Sequence, residues 1–258
     1  MARVGHGILG LVAVAAVGFG LATTAQAAAD AAQPPAQKWS FDGIFGSFDR
    51  AATQRGLQVF LEVCGNCHGL DLVAYRNLAE IGYDEDQVKA IAAQFSVEDG
   101  PDEEGEMFTR EARPSDAFVS PYRNAKEAAM INGGALPPDL SLMYKARMGG
   151  ADYMYALLIG YEEDTGDHGV PEGLFYNPYF PGGATAMPPP LYGDDVEYAD
   201  GTEATIEQES KDVTVFLAWA AEPNLDARKR LGTKVLLFLI VLTALLYATK
   251  RKVWRDLH

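Results

Sequence analysis

The chain has 258 residues, of which 48% are hydrophobic and 22% are charged, a balance that allows a core and excludes a wholly disordered chain. Its mean hydropathy of −0.07 excludes a protein built mostly of membrane spans. The formal net charge of −15 excludes a nucleic-acid-binding protein, which needs Lys and Arg patches, and favours basic partners. Two cysteines are too few for a disulfide scaffold.

Residues 1–27 have the composition of a secretory signal peptide. Arg3 lies in a short n-region, Ile8 to Leu21 form an apolar h-region, and Ala25-Gln26-Ala27 offers a cleavage site between small residues. The h-region is shorter than the roughly 20 residues that span a bilayer, although an uncleaved anchor is the alternative. We therefore predict that the chain is exported and that residues 28–38 form a flexible leader.

Four segments with helical spacing of apolar residues predict helices within a domain that covers residues 39–224. The first helix runs directly into Cys64, the second begins at Asp84 with Gln87 completing a capping box, and the fourth ends before Pro223. The helical patterns cover residues 52–63, 84–95, 151–161 and 210–221. We expect Asn224 to begin a further helix that continues into the membrane.

The segments between these helices carry no convincing alternation of apolar and polar residues, so the sequence predicts no strand. Residues 132–138 and 177–192 are rich in Gly and Pro and predict long irregular loops, which often carry function. The expected fold class is therefore mainly α, with long loop insertions.

Acidic residues are concentrated in three segments of the domain. Six lie in Glu98–Glu106, four in Glu162–Asp167 and seven in Asp194–Glu209. Each cluster is interpreted either as a solvated face or as a docking surface for a basic protein.

Near the C-terminus, Val235 to Ala248 is an uncharged apolar run, flanked by bases at residues 228–230 and 250–252. We predict a membrane anchor helix over residues 225–250 with a span of about 232–249. Because both flanks are basic, their charge does not decide the orientation of the helix. The predicted signal peptide decides it, since it directs the N-terminal side out of the cytoplasm. The domain of residues 39–224 is thus expected in the periplasm and the tail, residues 251–258, in the cytoplasm.

Residues 64–68 read Cys-Gly-Asn-Cys-His, which is the C-x-x-C-H attachment pattern of c-type haem. The two thiols can bind the two vinyl groups of one haem, which places His68 beneath the iron as the proximal ligand. A thioredoxin-like pair needs a βαβ context, and a helix precedes this motif instead. A zinc site needs two more ligands, and the remaining histidines are His6, His168 and His258. We predict one covalently attached haem c.

The sixth iron ligand decides whether the haem binds small ligands or transfers electrons, since a Met ligand raises the potential. Met187 is the first candidate because it lies in residues 181–191, where Gly allows close approach of the backbone and Pro stiffens the loop. From the residues alone, His168 and Met130 remain alternatives. We expect the other methionines to be ordinary core or surface residues.

Five longer segments make the chain resemble the cytochrome c1 family, the haem subunits of the cytochrome b–c1 complex, in its alphaproteobacterial type. The resemblance covers about residues 39–254 and includes GALPPDLS (134–141) and ARMGGADYMYALLIGY (146–161). The other segments are CGNCHGLDLVAYRNL (64–78), NPYFPGGATAMPPPLY (177–192) and KDVTVFLAWAAEPNLDARKRLGTK (211–234).

The resemblance implies a c-type cytochrome domain with long loop insertions, followed by one C-terminal transmembrane helix. It implies that Cys64 and Cys67 hold haem c covalently, that His68 and Met187 are the axial ligands of the iron, and that residues 135–140 line the haem pocket. No catalytic residue is implied, because electron transfer needs no bond-making by side chains.

The same resemblance implies an electron-transfer subunit of ubiquinol–cytochrome c reductase, complex III. Electrons would arrive from the Rieske iron–sulfur subunit and leave to a soluble or anchored cytochrome c, within a proton-translocating chain in the bacterial inner membrane. The anchor would contact the cytochrome b subunit in a dimeric complex. The rival interpretations are a tethered electron carrier that acts without cytochrome b and a haem-based sensor with an open iron.

Overall fold

The structure, a computed structural model, describes residues 31–163, 166 and 168–255. The predicted signal peptide, the first residues of the leader and His258 lie outside the described residues. The described chain is mainly helical, which confirms the expected class. Its helices are α1 (Arg50–Glu62), α2 (Glu85–Ala92), α3 (Ala125–Ile131), α4 (Met143–Ala146), α5 (Gly150–Ile159), α6 (Ile206–Ala221) and α7 (Leu225–Val253), with 3-10 helices at Cys64–Asn66 and Tyr75–Ile81.

The first two predicted helices form where their local sequence places them. The Asp49 carboxylate accepts hydrogen bonds from the backbone N–H groups of Ala51 and Ala52 and caps α1. The Asp84 carboxylate accepts from Gln87 N at 2.8 Å, while Gln87 Oε1 accepts from Asp84 N at 2.9 Å. The predicted capping box at the start of α2 is therefore confirmed.

The core is organised around contact between α1 and α6. Gly56 lets the two backbones touch, because a Cβ at this position would lie 2.0 Å from the carbonyl oxygen of Asp212. The Phe60 and Phe216 rings pack with their centroids 5.6 Å apart, within the range of favourable aromatic pairs. This packing fixes the end of α1, from which residues 64–68 continue.

The third and fourth predicted helices have slightly different bounds. α5 ends at Ile159 because Gly160 packs against the Tyr179 ring, so closely that a Cβ would lie 2.5 Å from Tyr179 Cδ2. α6 begins at Ile206, four residues before the predicted start, because Thr205 Oγ1 accepts from Gln208 N and caps it. α6 is buried on nearly every side from Glu209 onward.

The expectation of no strand is wrong, because the structure contains two small antiparallel sheets. β1 (Ser96–Asp99) pairs with β2 (Phe108–Glu111), and β3 (Phe175–Tyr176) pairs with β4 (Ala184–Thr185). The strands are two to four residues long and mostly exposed or half-buried, so no alternating apolar pattern is required of them. The first acidic cluster is therefore an ordered hairpin.

α7 follows α6 after a short break and leaves the domain. Among the described residues, it is the one helix long and apolar enough to cross a membrane, by length and composition. Its apolar stretch is uncovered, with Phe238 63% and Ile240 66% exposed. The helix starts directly after Asn224, as the sequence predicts.

Candidate functional site

The C-x-x-C-H motif forms a tight turn at the end of α1. Cys64–Asn66 is a single 3-10 turn, and the N–H groups of Cys67 and His68 both donate to the carbonyl oxygen of Cys64, at 3.1 and 2.9 Å. Both thiols are free, with Cys64 half-buried and Cys67 exposed. The turn therefore presents two unpaired thiols and an imidazole from one short piece of backbone.

Contacts with the last turns of α1 hold this motif in place. Asn66 Nδ2 donates to the carbonyl oxygen of Glu62 at 2.8 Å, and a Cβ on Gly65 would lie only 3.0 Å from Phe60 O. Burial raises the pKa of the Cys64 thiol to about 12. Thiol–disulfide catalysis uses a lowered thiol pKa, so the environment of Cys64 disfavours the thioredoxin-like alternative.

The His68 ring is oriented by a backbone carbonyl from a distant segment. Its Nδ1 lies 2.7 Å from the carbonyl oxygen of Pro138, so the neutral ring donates its Nδ1–H there and keeps a lone pair on Nε2. Burial lowers the pKa of His68, although the bond to Pro138 and the charge of Asp139 oppose this effect. A neutral imidazole with one nitrogen held by the protein is the usual form of a metal-ligating histidine.

Pro138 belongs to the segment 134–141, which is fastened to the chain just after His68. Leu140 N donates to Gly69 O at 2.9 Å, and the Asp139 carboxylate accepts from Asp71 N at 2.7 Å and from Ser141 N at 2.9 Å. Residues 138–140 thus contact the segment that contains His68, and the lining of a haem pocket by residues 135–140 stays a prediction. The carbonyl of Pro138 and the carboxylate of Asp139 were not singled out by the sequence.

Met187 is held on a different segment, just after β4. Its N–H donates to Thr185 Oγ1 at 3.2 Å, and its carbonyl oxygen accepts from the Tyr161 hydroxyl at 3.1 Å. Burial raises the pKa of Tyr161, which keeps its hydroxyl a donor. Both backbone groups of Met187 are therefore fixed, and its side chain is half-buried.

The base of this loop is anchored to α5 by a buried asparagine. Asn177 Nδ2 donates to Leu157 O at 2.8 Å, its Oδ1 accepts from Tyr179 N at 3.1 Å, and its N–H donates to Gly183 O at 2.9 Å. Asn177 is fully buried, so losing these bonds would leave unpaired polar groups. The region predicted as a Gly- and Pro-rich loop is thus a fixed support for Met187.

The alternative sixth ligands occupy other environments. Met130 on α3 is 79% exposed. The His168 ring stacks on the Tyr176 ring with 3.7 Å between centroids. Met187 is half-buried and both of its backbone polar groups are hydrogen-bonded; its role as a ligand stays a prediction.

The residues present fit a haem. Two unpaired thiols, an imidazole with a free Nε2 and a supported methionine supply the donors that a c-type haem requires. Leu136, two residues before the carbonyl that holds His68, is an apolar side chain that is 58% exposed. Within the described residues no group of three or more His, Cys, Asp or Glu side chains could hold a metal ion.

The acidic clusters differ in what their charges contact. In the first, Glu103 and Glu104 at the hairpin tip are exposed, while Asp99 pairs with Arg110. In the third, Asp200 pairs with Arg55 at 2.8 Å. Glu209 is fully buried, so it belongs to neither a solvated face nor a docking surface, which corrects the interpretation of that cluster.

Comparisons with known proteins agree with the resemblance seen in the sequence. The profile described as the Cytochrome C1 family matches residues 39–257. The chain is 52% identical to the cytochrome c1 of Rhodospirillum rubrum over 238 residues, which are 85% of this chain and 87% of that protein. It is 47% identical to "Cytochrome c1 1, heme protein, mitochondrial" of Arabidopsis thaliana, over 96% of this chain and 80% of that protein.

A longer relative is the protein named "Cytochrome b/c1" of Bradyrhizobium diazoefficiens. The two chains are 48% identical over 272 residues, which are 97% of this chain. The present chain spans only 40% of the length of that relative.

Proposed function

The chain belongs to the cytochrome c1 family, and we propose that it accepts electrons from a Rieske iron–sulfur protein and passes them to a cytochrome c. Its role as the cytochrome c1 subunit of a ubiquinol–cytochrome c reductase, complex III, follows from the family. The observation that carries the electron-transfer proposal is the 2.7 Å contact between His68 Nδ1 and Pro138 O. This contact leaves the opposite ring nitrogen as the donor to a metal.

One haem c, attached covalently, is proposed at this site. Cys64 and Cys67 would hold it through thioethers, and His68 Nε2 and the Met187 sulfur would bind its iron. When bound, the haem supplies a one-electron couple between Fe(III) and Fe(II). Reduction requires no bond-making by side chains, so the chain has no catalytic residue in the sense of acid–base or nucleophilic chemistry.

The protein contributes fixed ligand positions. The Pro138 carbonyl holds the His68 ring, and the bonds from Tyr161 and to Thr185 hold the Met187 backbone. A donor set that keeps its geometry needs little rearrangement when an electron arrives or leaves. Methionine ligation and apolar surroundings raise the reduction potential, which would draw electrons forward from an iron–sulfur donor.

α7 is proposed as the single membrane span. It would place the domain of residues 39–224 in the periplasm, with the tail, residues 251–258, in the cytoplasm of a bacterial inner membrane, if residues 1–27 act as the export signal. The anchor would contact a cytochrome b subunit in a dimeric complex. The name "Cytochrome b/c1" of the Bradyrhizobium relative supports a close association of the two functions.

A basic cytochrome c is the proposed acceptor. The exposed acids at the tip of the β1–β2 hairpin, together with the net charge of −15, would attract such a partner and increase the rate of encounter.

The experiment that tests this function is purification of the native chain in mild detergent, followed by reduction with quinol and optical difference spectra. We expect b-type haems and an iron–sulfur protein to co-purify and quinol to reduce a haem c on this chain. If the chain purifies alone with a haem c that quinol leaves oxidised, it is a tethered carrier and the proposal is wrong.

A carbon monoxide titration of the reduced protein distinguishes the proposed electron carrier from a haem-based sensor. We expect no change in the haem spectrum, because two protein ligands leave no open position. Rapid binding of carbon monoxide would instead indicate a five-coordinate or easily opened iron.

A further inference from the structure

A compact loop near the start of α7 displays two large apolar side chains to the surroundings. The loop, residues 41–46, is closed by a hydrogen bond from Ser47 N to Ser40 O at 3.0 Å. Ile44 and Phe45 at its tip are 73% and 78% exposed. Exposed residues of this size are ordinary when they occur singly, but here two of them are adjacent on a loop of defined conformation.

The conformation of the loop is specified by its glycines. Gly43 has φ +67°, a region that L side chains rarely adopt, and a Cβ on Gly46 would lie 1.9 Å from Asp42 O. The rings of Phe41 and Phe48, on either side, are buried in the core and pack 5.0 Å apart. The loop is therefore a formed feature of the domain, and its exposed tip is not the result of a frayed end.

The loop is fastened to the first turns of α7. The Lys229 ammonium group donates to the carbonyl oxygens of Phe41 and Gly46, the two ends of the loop. In addition, Phe48 N donates to the Asp226 carboxylate at 3.2 Å. Hence the height of the loop along α7 is fixed by these two residues of the helix.

That height corresponds to the edge of a bilayer. Lys229 lies three residues before residue 232, where the predicted span begins, and this separation is about 4.5 Å at 1.5 Å per residue. The headgroup region on each side of the hydrocarbon core is about 5–7 Å thick. Arg230, the residue after Lys229 in α7, is exposed, and long basic side chains near the end of a membrane helix extend to the interface.

We propose that the Ile44–Phe45 tip inserts into the lipid interface beside α7 and forms a second membrane contact of the domain. The partner is the phospholipid itself, at the boundary between headgroups and acyl chains. The contact would limit tilting of the haem domain relative to the anchor, because α7 alone would attach the domain to the membrane at one point. This inference rests on the membrane anchor of the proposed function.

Photo-crosslinking of the full chain within its complex in native membranes tests the proposal. We would replace Phe45 by p-benzoylphenylalanine, which keeps an aromatic side chain, irradiate the membranes and measure the mass added to the chain. The expected result is a phospholipid adduct at position 45. An adduct with another polypeptide, or no adduct, would overturn the proposal.

Two controls make the outcome specific. The same replacement of Phe108, which is 43% exposed on the hairpin, should give no lipid adduct, and equal lipid labelling at positions 45 and 108 would also overturn the proposal. Replacement of Phe238 and Ile240, two exposed positions on opposite faces of α7, reports on the anchor. Lipid adducts there but not at position 45 refute the loop contact alone, whereas their absence at all three positions refutes the anchor as well.

Discussion

His68 and Met187 are prepared for metal binding by bonds that leave their donor atoms uncommitted. The Pro138 carbonyl engages Nδ1 of His68, and Tyr161 and Thr185 engage the backbone of Met187 but not its sulfur. Supporting bonds of this kind orient ligands and tune the metal. The donor side chains can therefore be tested by substitution separately from residues elsewhere in the domain.

Replacement of the proposed axial methionine should change the potential of the haem. We expect Met187→Leu to lower the midpoint potential by on the order of 0.1 V, because axial ligands set haem potentials over a range of about 0.8 V. A redox titration of the purified complex measures this shift. Met130→Leu, on an exposed side chain, is the matched control and should leave the potential unchanged, whereas the reverse pattern would assign the ligand to Met130.

Glu209 predicts a pH dependence of stability. Its Oε1 accepts from Asp195 N at 3.0 Å and from Val196 N at 3.3 Å, but its buried Oε2 has no hydrogen-bond partner. Burial, followed by the nearby Asp195, raises the pKa of Glu209 from 4.5 to about 7. The folded state therefore binds more protons than the unfolded state between these values, and the free energy of unfolding falls as pH rises through this window.

The variant Glu209→Gln tests this effect. A neutral amide removes the cost of ionising a buried carboxyl, so we expect the free energy of unfolding to rise by about 2–3 kcal/mol at pH 8 and to change much less at pH 4.5. Denaturant unfolding of the detergent-solubilised holoprotein at both pH values measures the difference. Glu207→Gln, at an exposed position of the same helix, should have little effect, and an equal gain at both pH values would contradict the pKa assignment.

At the scale of elements, the α1–α6 pair carries the haem motif and is joined by an ion pair as well as by apolar packing. Arg55 Nε and Nη2 lie 2.8 and 3.0 Å from the two oxygens of Asp212, whose side chain is 1% exposed. Gln208 Nε2 also donates to Asp212 at 2.8 Å. The carboxylate is thus desolvated and depends on these partners.

We expect Arg55→Ala to lower the free energy of unfolding by about 3–5 kcal/mol, because it leaves the Asp212 carboxylate buried with no cation. Arg123→Ala removes a comparable pair with Glu127, but the Arg123 side chain is 85% exposed, so its effect should stay below about 1 kcal/mol. Urea unfolding of both variants compares them directly. Similar losses would mean that burial of Asp212 does not strengthen the pair.

The elements that the sequence predicted are those with a local signal. The capping box at Asp84 and Gln87 and the apolar face of α1 depend on neighbouring residues only, and both formed as expected. The β1–β2 hairpin was missed because its strands are short and exposed and depend on Arg110, which contacts Asp99 and Asp116. An ion-paired hairpin of this kind leaves no periodic pattern in the sequence.

The candidate site shows the same division between local and distant contacts. Residues 64–68 were identified from spacing because the motif is contiguous. The support of His68 by Pro138 crosses 70 positions of the chain, and that of Met187 by Tyr161 crosses 26. Backbone acceptors carry no residue-type signal, so such contacts follow only from the folded structure.

Across the whole molecule, acidic and basic residues are distributed unevenly along the chain. Bases are concentrated at both ends of the apolar run in α7, and exposed acids lie at the hairpin tip and on residues 194–207. In a chain of net charge −15, residues 39–224 hold 33 acidic and 11 basic residues, so the domain has a negative field. A field of this kind accelerates the encounter with a basic partner more than it strengthens the final complex.

The rate of electron transfer to a basic cytochrome c should therefore fall as salt rises. The Debye length shortens from about 30 Å at 0.01 M to about 10 Å at 0.1 M ionic strength, so stopped-flow reduction of the acceptor by the complex should slow over this range. Glu103→Gln combined with Glu104→Gln at the hairpin tip should lower the rate at low salt and flatten its salt dependence. The control pair Glu80→Gln and Glu85→Gln changes the net charge equally at exposed positions outside the acidic clusters. A rate that does not depend on salt would refute electrostatic steering, whereas equal effects of both pairs would show that net charge, and not the hairpin, attracts the acceptor.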